Sequence, residues 1–302
     1  MSTTSLADLV TEGVCALTRA GSTSDLAGAR FSRERERFGS ADLAGRAPVI
    51  VLASPYSGAG QLRFLLNGHP DLACTSGSGI LPLCEQAMAA WRYVGQAARS
   101  PAPLAVTATR ALVTSIITSL LAREGKWRWC EIAAANTQVA DTFLQLYPGT
   151  KFLCLYRACP DVVRATLDAN PWGIADATFA PFTAAFPAST VAALTASWVA
   201  HTGPLLSFEQ SHPQACLRIR SEDLTAARSE TAERITSFLG IGGFDVLTAP
   251  AEHSKTQPEP GGGTPETDFP ADLIPPTMLA QADDLLRRLG YPALSPAQSA
   301  PS

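Results

Sequence analysis

Charge is scarce in this chain. Only 17% of its 302 residues are Asp, Glu, Lys or Arg, against 46% hydrophobic residues, and the formal net charge is -4. A general nucleic-acid binder needs a basic face to displace counterions from phosphates, so that class is excluded and any anion site has to be local. Metal-ligand spacing is missing as well. The seven cysteines, Cys15, Cys74, Cys84, Cys130, Cys154, Cys159 and Cys216, are odd in number, contain no CxxC pair and sit mostly in apolar segments. Such usage suits reduced core thiols rather than a disulfide framework or a zinc site. The histidines, His69, His201, His212 and His253, are equally dispersed, and no metal is expected. No uninterrupted apolar run reaches the roughly eighteen residues that cross a bilayer, and Met1 to Ala20 lacks a basic stretch followed by a continuous apolar one. The expectation is a cytoplasmic protein with no membrane partner.

What is present is an alternation of short apolar runs with segments of helical period. Pro48 to Ala53, Arg128 to Ala133, Phe152 to Tyr156 and Ala215 to Ile219 read as strands buried on both faces. Helical patterns occupy Thr107 to Arg123, Thr137 to Tyr147, Thr190 to Glu209, Ser229 to Leu239 and Pro276 to Leu289, the last closed by Gly290. This alternation predicts an α/β fold, a central parallel sheet flanked by helices. Three stretches divide the chain: an N-terminal helical or arm segment over 1–46 with the mixed-charge run Arg30 to Arg37, a core over 47–250, and a tail over 251–302 with a Gly/Pro-rich loop, a helix and a Pro/Ser-rich end. Pro171, Pro181 and Pro187 break Asn170 to Pro187 into a loop or interrupted helix, a candidate lid.

The strand ending at Ala53 runs into Ser54-Pro55-Tyr56-Ser57-Gly58-Ala59-Gly60-Gln61, after which Leu62, Leu65 and Leu66 read as a helix. Small residues between a strand and a helix let successive free N–H groups form an anion nest at the favourable end of the helix dipole. An ordinary strand-to-helix turn is the alternative. The loop is neither GxxxxGK[ST] nor a full GxGxxG, which disfavours a nucleotide triphosphatase or a dinucleotide-binding dehydrogenase.

Several segments in order resemble the sulfotransferases that use 3'-phosphoadenosine 5'-phosphosulfate (PAPS), nearest in pattern to the tyrosylprotein and bacterial members. The phosphosulfate loop of that family falls on Tyr56 to Gly60, and its His-Pro on His69-Pro70. Its 3'-phosphate strand falls on Lys151 to Arg157 and continues through Pro160-Asp161-Val162-Val163. Its Arg-Tyr-Glu-Asp-Leu falls on Arg220-Ser221-Glu222-Asp223-Leu224, its Phe-Leu-Gly on Phe238-Leu239-Gly240, and its closing Leu-Gly-Tyr on Leu289-Gly290-Tyr291. The resemblance implies a phosphate-binding strand-loop-helix and a PAPS or product site made of Tyr56, Ser57, Gly58, Ala59, Gly60, Gln61, Arg157 and Arg164.

The same correspondence exposes departures. The loop cation becomes Tyr56, a phenol with one proton to donate and no charge at neutral pH. The terminal loop hydroxyl becomes Gly60, the acceptor's carboxylate falls on Gly77, and the serine paired with Arg157 becomes Ala165, with Arg164 about 100° away on the same helix. Arg157 has a structural alternative, an ion pair with Asp161 or Glu131. Losing cation, hydroxyl and base together should weaken PAPS binding and sulfuryl transfer, which depend on positioning and charge stabilisation. The primary reading is sulfate-ester chemistry on a small metabolite of bacterial secondary metabolism, such as displacement of sulfate in a ring closure, rather than ordinary sulfuryl transfer. Tyr56, His201 and His253 are the catalytic candidates. The alternatives are a non-catalytic subunit that supports an active homologue, with Trp91-Arg92-Tyr93 and Trp127-Arg128-Trp129 as interface or core, and a conventional PAPS-dependent enzyme with compensating residues.

Overall fold

The computed structural model describes residues 47–98, 102–134, 137–243 and 269–295. The charged run Arg30 to Arg37, Cys15, most of the Gly/Pro-rich loop and His253 lie outside these residues. The chain order is β1 (Val49–Ala53), α1 (Ala59–Asn67), β2 (Leu72–Ser76), α2 (Ile80–Ala98), α3 (Ala102–Glu124), β3 (Arg128–Ala134), α4 (Thr137–Leu146) and β4 (Lys151–Tyr156). It continues with α5 (Cys159–Ala169), α6 (Ala180–Ala185), α7 (Thr190–Ser211), β5 (Cys216–Arg220), α8 (Asp223–Ala226), α9 (Arg228–Leu239), a 3-10 turn (Ala271–Leu273) and α10 (Pro276–Leu289).

The five described strands form one sheet in the order β2-β3-β1-β4-β5, every pair parallel. Period-two alternation divides β1 between two cores. Ile50 and Leu52 face one side with Trp129, Phe152 and Cys154, covered by residues of α2, α3, α4, α7 and α10. Val49 and Val51 face the other with Leu153 and Leu155, covered by Leu62, Leu65 and Leu66 of α1 and by Ile235 and Leu239 of α9. All five residues of β1 are buried, and full burial of each large aliphatic side chain contributes roughly 1.5–3 kcal/mol. This two-sided burial is why β1, β3 and β4 read as apolar runs rather than alternating ones.

The central strand β1 has β3 on one side and β4 on the other, so the chain moves to opposite sides of it before and after β3. In an open parallel sheet the crevice outside the strand C-termini at such a switch is where ligands bind. The α10 helix packs on α7, burying Ala282, Leu285, Leu286 and Leu289, and thereby joins the main core. The six cysteines described are free and buried, and burial pushes the Cys84 and Cys159 thiols up to about 12. Trp129 is buried in the core, whereas Trp91 and Tyr93 are exposed on α2. Over Ala105–Glu124, α3 is long and apolar enough to cross a membrane, with a mean hydropathy of 1.5. One stripe of it, Val113, Ile117 and Leu121, is buried in the core.

Candidate anion-binding site

After β1 the chain passes Ser54 and Pro55 and enters the left-handed region at Tyr56, φ 60°, the only non-glycine with positive φ among the described residues. A side chain in that conformation costs roughly 1–2 kcal/mol, so the surroundings have to hold it. They do so at several points. Arg157 Nη1 donates to the Tyr56 carbonyl at 3.0 Å, and Asn170 Nδ2 donates to the Tyr56 hydroxyl at 3.0 Å. The Tyr56 ring lies 6.0 Å from that of Phe179. The next residue, Ser57, is buried, and its hydroxyl donates to the Ser54 carbonyl at 2.8 Å, closing the turn from inside.

Gly58 then caps α1 at φ 89°. A Cβ there would lie 2.3 Å from Ser221 Oγ, so both the backbone angle and the space require glycine. The first i to i+4 bond of α1 runs from Leu62 N to Gly58 O at 3.2 Å. The N–H groups of Ala59, Gly60 and Gln61 precede that ladder and have no carbonyl a turn ahead of them to pair with. With the helix dipole they make an anion nest, and no acidic residue occupies the first turn of α1 to oppose an anion. Gln61 Oε1 is buried beside the loop without a hydrogen-bond partner.

Segments far apart in sequence meet around this loop. Arg157 follows β4, and Trp198 Nε1 of α7 donates to its carbonyl at 3.1 Å. Ser221, after β5, donates its N–H to the Tyr156 carbonyl at 2.8 Å. Glu222 accepts from Ala158 N at 3.2 Å and from the Tyr291 hydroxyl at 2.9 Å, which ties the starts of α5 and α8 to the end of α10. Arg220 lies over the Tyr291 ring, 4.3 Å from its centroid. Burial, the Glu222 charge beside it and the hydrogen bond it donates to Glu222 hold the Tyr291 phenol protonated, its pKa far above the ordinary value.

The loop after β2 is different. Ser76 to Gly79 are exposed, Gly77 and Gly79 have φ 67° and 78°, and neither has anything within 4 Å of where a Cβ would stand. Its fixed point comes from the neighbouring strand: the carboxylate of Glu131, 1% exposed, accepts from Ser78 N at 3.0 Å and from the Thr75 hydroxyl. Trp129 Nε1 in turn donates to Thr75 Oγ1 at 2.8 Å.

The sequence-predicted residues Tyr56, Ser57, Gly58, Ala59, Gly60, Gln61 and Arg157 therefore share one site. Arg157 makes neither of the ion pairs offered as its alternative: Asp161 pairs with Arg164 at 3.5 Å, and Glu131 serves Ser78 and Thr75. Arg164 is exposed on α5 and directed to Asp161. His201 stands on α7, its Nδ1 2.7 Å from the Ser197 carbonyl and its ring 6.1 Å from Phe182 of α6, with no contact to the loop. Sequence reading assigns no site role to three further residues: Ser221 stands there only within the Arg220 to Leu224 segment, Glu131 only as a possible partner of Arg157, and Asn170 only at the start of the proline-broken stretch.

A family model described as "Sulfotransferase family" matches residues 48–245. A relative from Caenorhabditis briggsae named "Putative protein-tyrosine sulfotransferase" is 23% identical over 197 residues, which are 64% of this chain and 65% of the relative, so the chain spans just under two thirds of that protein. Among solved structures, the sulfotransferase domain from the curacin biosynthetic pathway superposes with a TM-score of 0.54 at 14% identity, covering 81% of this chain and 98% of that domain. The sulfotransferase domain of the Synechococcus PCC 7002 olefin synthase gives 0.50 at 17% identity, covering 82% and 96%. These two likenesses concern the fold.

Proposed function

This chain belongs to the sulfotransferase family, and we propose that it acts on a small sulfate ester, holding the sulfate as a leaving group, rather than as an ordinary transferase that draws sulfate from PAPS. The observation that carries the reading is Tyr56: at the loop's cation position stands a neutral donor, fixed in a left-handed conformation by Arg157 and Asn170. The loop fits one tetrahedral anion, for which it offers the nest amides of Ala59, Gly60 and Gln61 and the Tyr56 hydroxyl. The second phosphate of a PAPS-type nucleotide finds less. Arg157 commits one nitrogen to the Tyr56 carbonyl, Ala165 has no polar group, and Arg164 faces Asp161. The residues therefore do not fit the whole nucleotide.

The chemistry suited to such a cradle is displacement at carbon. A nucleophile on the same substrate, such as an amine nitrogen, bonds to the carbon bearing the ester. The C–O bond breaks, its electron pair leaves with the sulfate, and the amine proton passes to solvent. The departing group gains one negative charge in the transition state, where oriented N–H and O–H donors act most strongly. Holding nucleophile and carbon together supplies the rest. A second reading, sulfuryl transfer from PAPS to a small acceptor, is favoured by the family match itself.

Two assays on the purified full chain separate them. Given alkyl sulfate esters that carry a neighbouring amine, the protein should release inorganic sulfate, measured by ion chromatography. Given radiolabelled PAPS with hydroxyl and amine acceptors, it should form no sulfated product above background. Robust labelling by the chain alone, without release from the esters, would establish the second reading instead.

A further inference from the structure

We infer that Asn170 is a positioning residue that aims the Tyr56 hydroxyl proton into the anion cradle; the inference rests on the reading that Tyr56 donates to a bound sulfate. Asn170 Nδ2 lies 2.8 Å from the Thr166 carbonyl and 3.0 Å from the Tyr56 hydroxyl. A carbonyl can only accept, so the atom facing Thr166 has to be the amide nitrogen, which fixes the orientation of the side chain. That nitrogen has two hydrogens, one for each oxygen. The Tyr56 oxygen is thus the acceptor in its bond to Asn170, and its single proton is left to donate elsewhere.

The same contacts fix where the phenol oxygen stands. Asn170 is the C-terminal cap of α5, and its own N–H is bonded to the Leu167 carbonyl. Arg157, just ahead of the same helix, holds the Tyr56 carbonyl. The two ends of one helix therefore grip the two polar ends of one tyrosine, while Phe179 stands against its ring. A phenol so held replaces the charge of a cation with a directed hydrogen bond, and hydrogen bonds to a charged partner are the stronger kind. Free rotation of the hydroxyl would dissipate that advantage among several orientations. The amide of Asn170 removes the competing one in which Tyr56 donates to the end of α5.

The test is a double-mutant cycle read by calorimetric titration with inorganic sulfate. Tyr56→Phe should weaken sulfate binding by at least about tenfold, the lower end of what one hydrogen bond to a charged group contributes. Asn170→Leu, similar in size and unable to donate, should weaken it severalfold. Asn170→Asp, which at neutral pH can only accept and so captures the phenol proton, should weaken it at least as much as Tyr56→Phe. In the Tyr56→Phe background Asn170→Leu should then have no further effect, because there is no hydroxyl left to aim. A purely structural role for Asn170 would weaken binding equally in both backgrounds, and that result would overturn the inference. If Tyr56→Phe itself leaves sulfate affinity unchanged, the donor reading of Tyr56 fails first. If it weakens binding while both Asn170 variants match wild type, the donor reading stands and the inference about Asn170 falls.

Discussion

Two loops leave the same edge of the sheet and are built in opposite ways. The β1–α1 loop is clamped: Ser57 is buried, Tyr56 is held at both polar ends, and Gly58 sits where a methyl group would strike Ser221. The β2–α2 loop is open, with exposed residues from Ser76 to Gly79 and two glycines whose Cβ positions face open space. Glu131, from below, holds it at the Ser78 N–H. The difference teaches where the molecule keeps its recognition rigid. The β1–α1 turn is held rigidly from several elements, whereas the β2–α2 loop has open space around it, as surface loops on a fixed scaffold commonly do.

Gly58→Ala attacks this contrast hardest. It should carry about 1–2 kcal/mol for the left-handed backbone, together with the overlap against Ser221 Oγ, and should remove measurable sulfate binding because the start of α1 has to shift. Ser221→Gly in the same chain should restore part of the binding; no recovery would mean that the contact is not what limits the site. Arg157→Ala comes next, with sulfate affinity down by roughly 10- to 100-fold, since it removes both a charge and the anchor of the Tyr56 carbonyl. Arg157→Lys should recover less than half of that loss on a logarithmic scale, because an ammonium lacks the guanidinium fork that serves the carbonyl and an anion together. Full recovery would reduce Arg157 to a point charge.

Glu131→Leu tests the other loop. It removes both acceptor oxygens, so the Ser78 N–H loses its partner while the Thr75 hydroxyl can turn to the Cys130 carbonyl at 3.2 Å. A cost of about 1–3 kcal/mol follows, or a melting temperature lower by some 2–4 °C per kcal/mol for a domain of this size. Sulfate affinity should stay within about twofold, judged against the clamped loop's losses. Smallest of all should be Gly77→Ala, which meets no atom within 4 Å and carries only the backbone cost of roughly 1–2 kcal/mol. Thermal unfolding checks both. A large fall in sulfate binding for either would show that the two loops are not independent.

Much of this architecture was legible because burial on both faces writes itself into sequence. The strand expected over Arg128 to Ala133 is observed at Arg128–Ala134, and that over Phe152 to Tyr156 at Lys151–Tyr156. Helices expected over Thr190 to Glu209 and Pro276 to Leu289 are observed at Thr190–Ser211 and Pro276–Leu289. The edge strand β2 escaped notice. Its sequence, Leu-Ala-Cys-Thr-Ser, has a single β-branched residue, and it pairs on one side only. The cradle loop was visible from its small residues, but its supports were not. Asn170 reaches Tyr56 across 114 positions of chain and Ser221 meets Gly58 only in space. Arg157 shows the limit most clearly. Ion pair and anion ligand were both open from sequence, and the contact found is with the backbone carbonyl of Tyr56. No pattern of side chains signals such a partner.

The account stands or falls on whether the cradle recognises a sulfate rather than a whole nucleotide. Parallel calorimetric titrations of the full chain with inorganic sulfate and with adenosine 3',5'-bisphosphate measure this directly. The account predicts that sulfate binds, that the binding is lost in Gly58→Ala, and that the nucleotide binds weakly or not at all. Sub-micromolar affinity for the nucleotide would contradict it and return the chain to ordinary sulfuryl transfer.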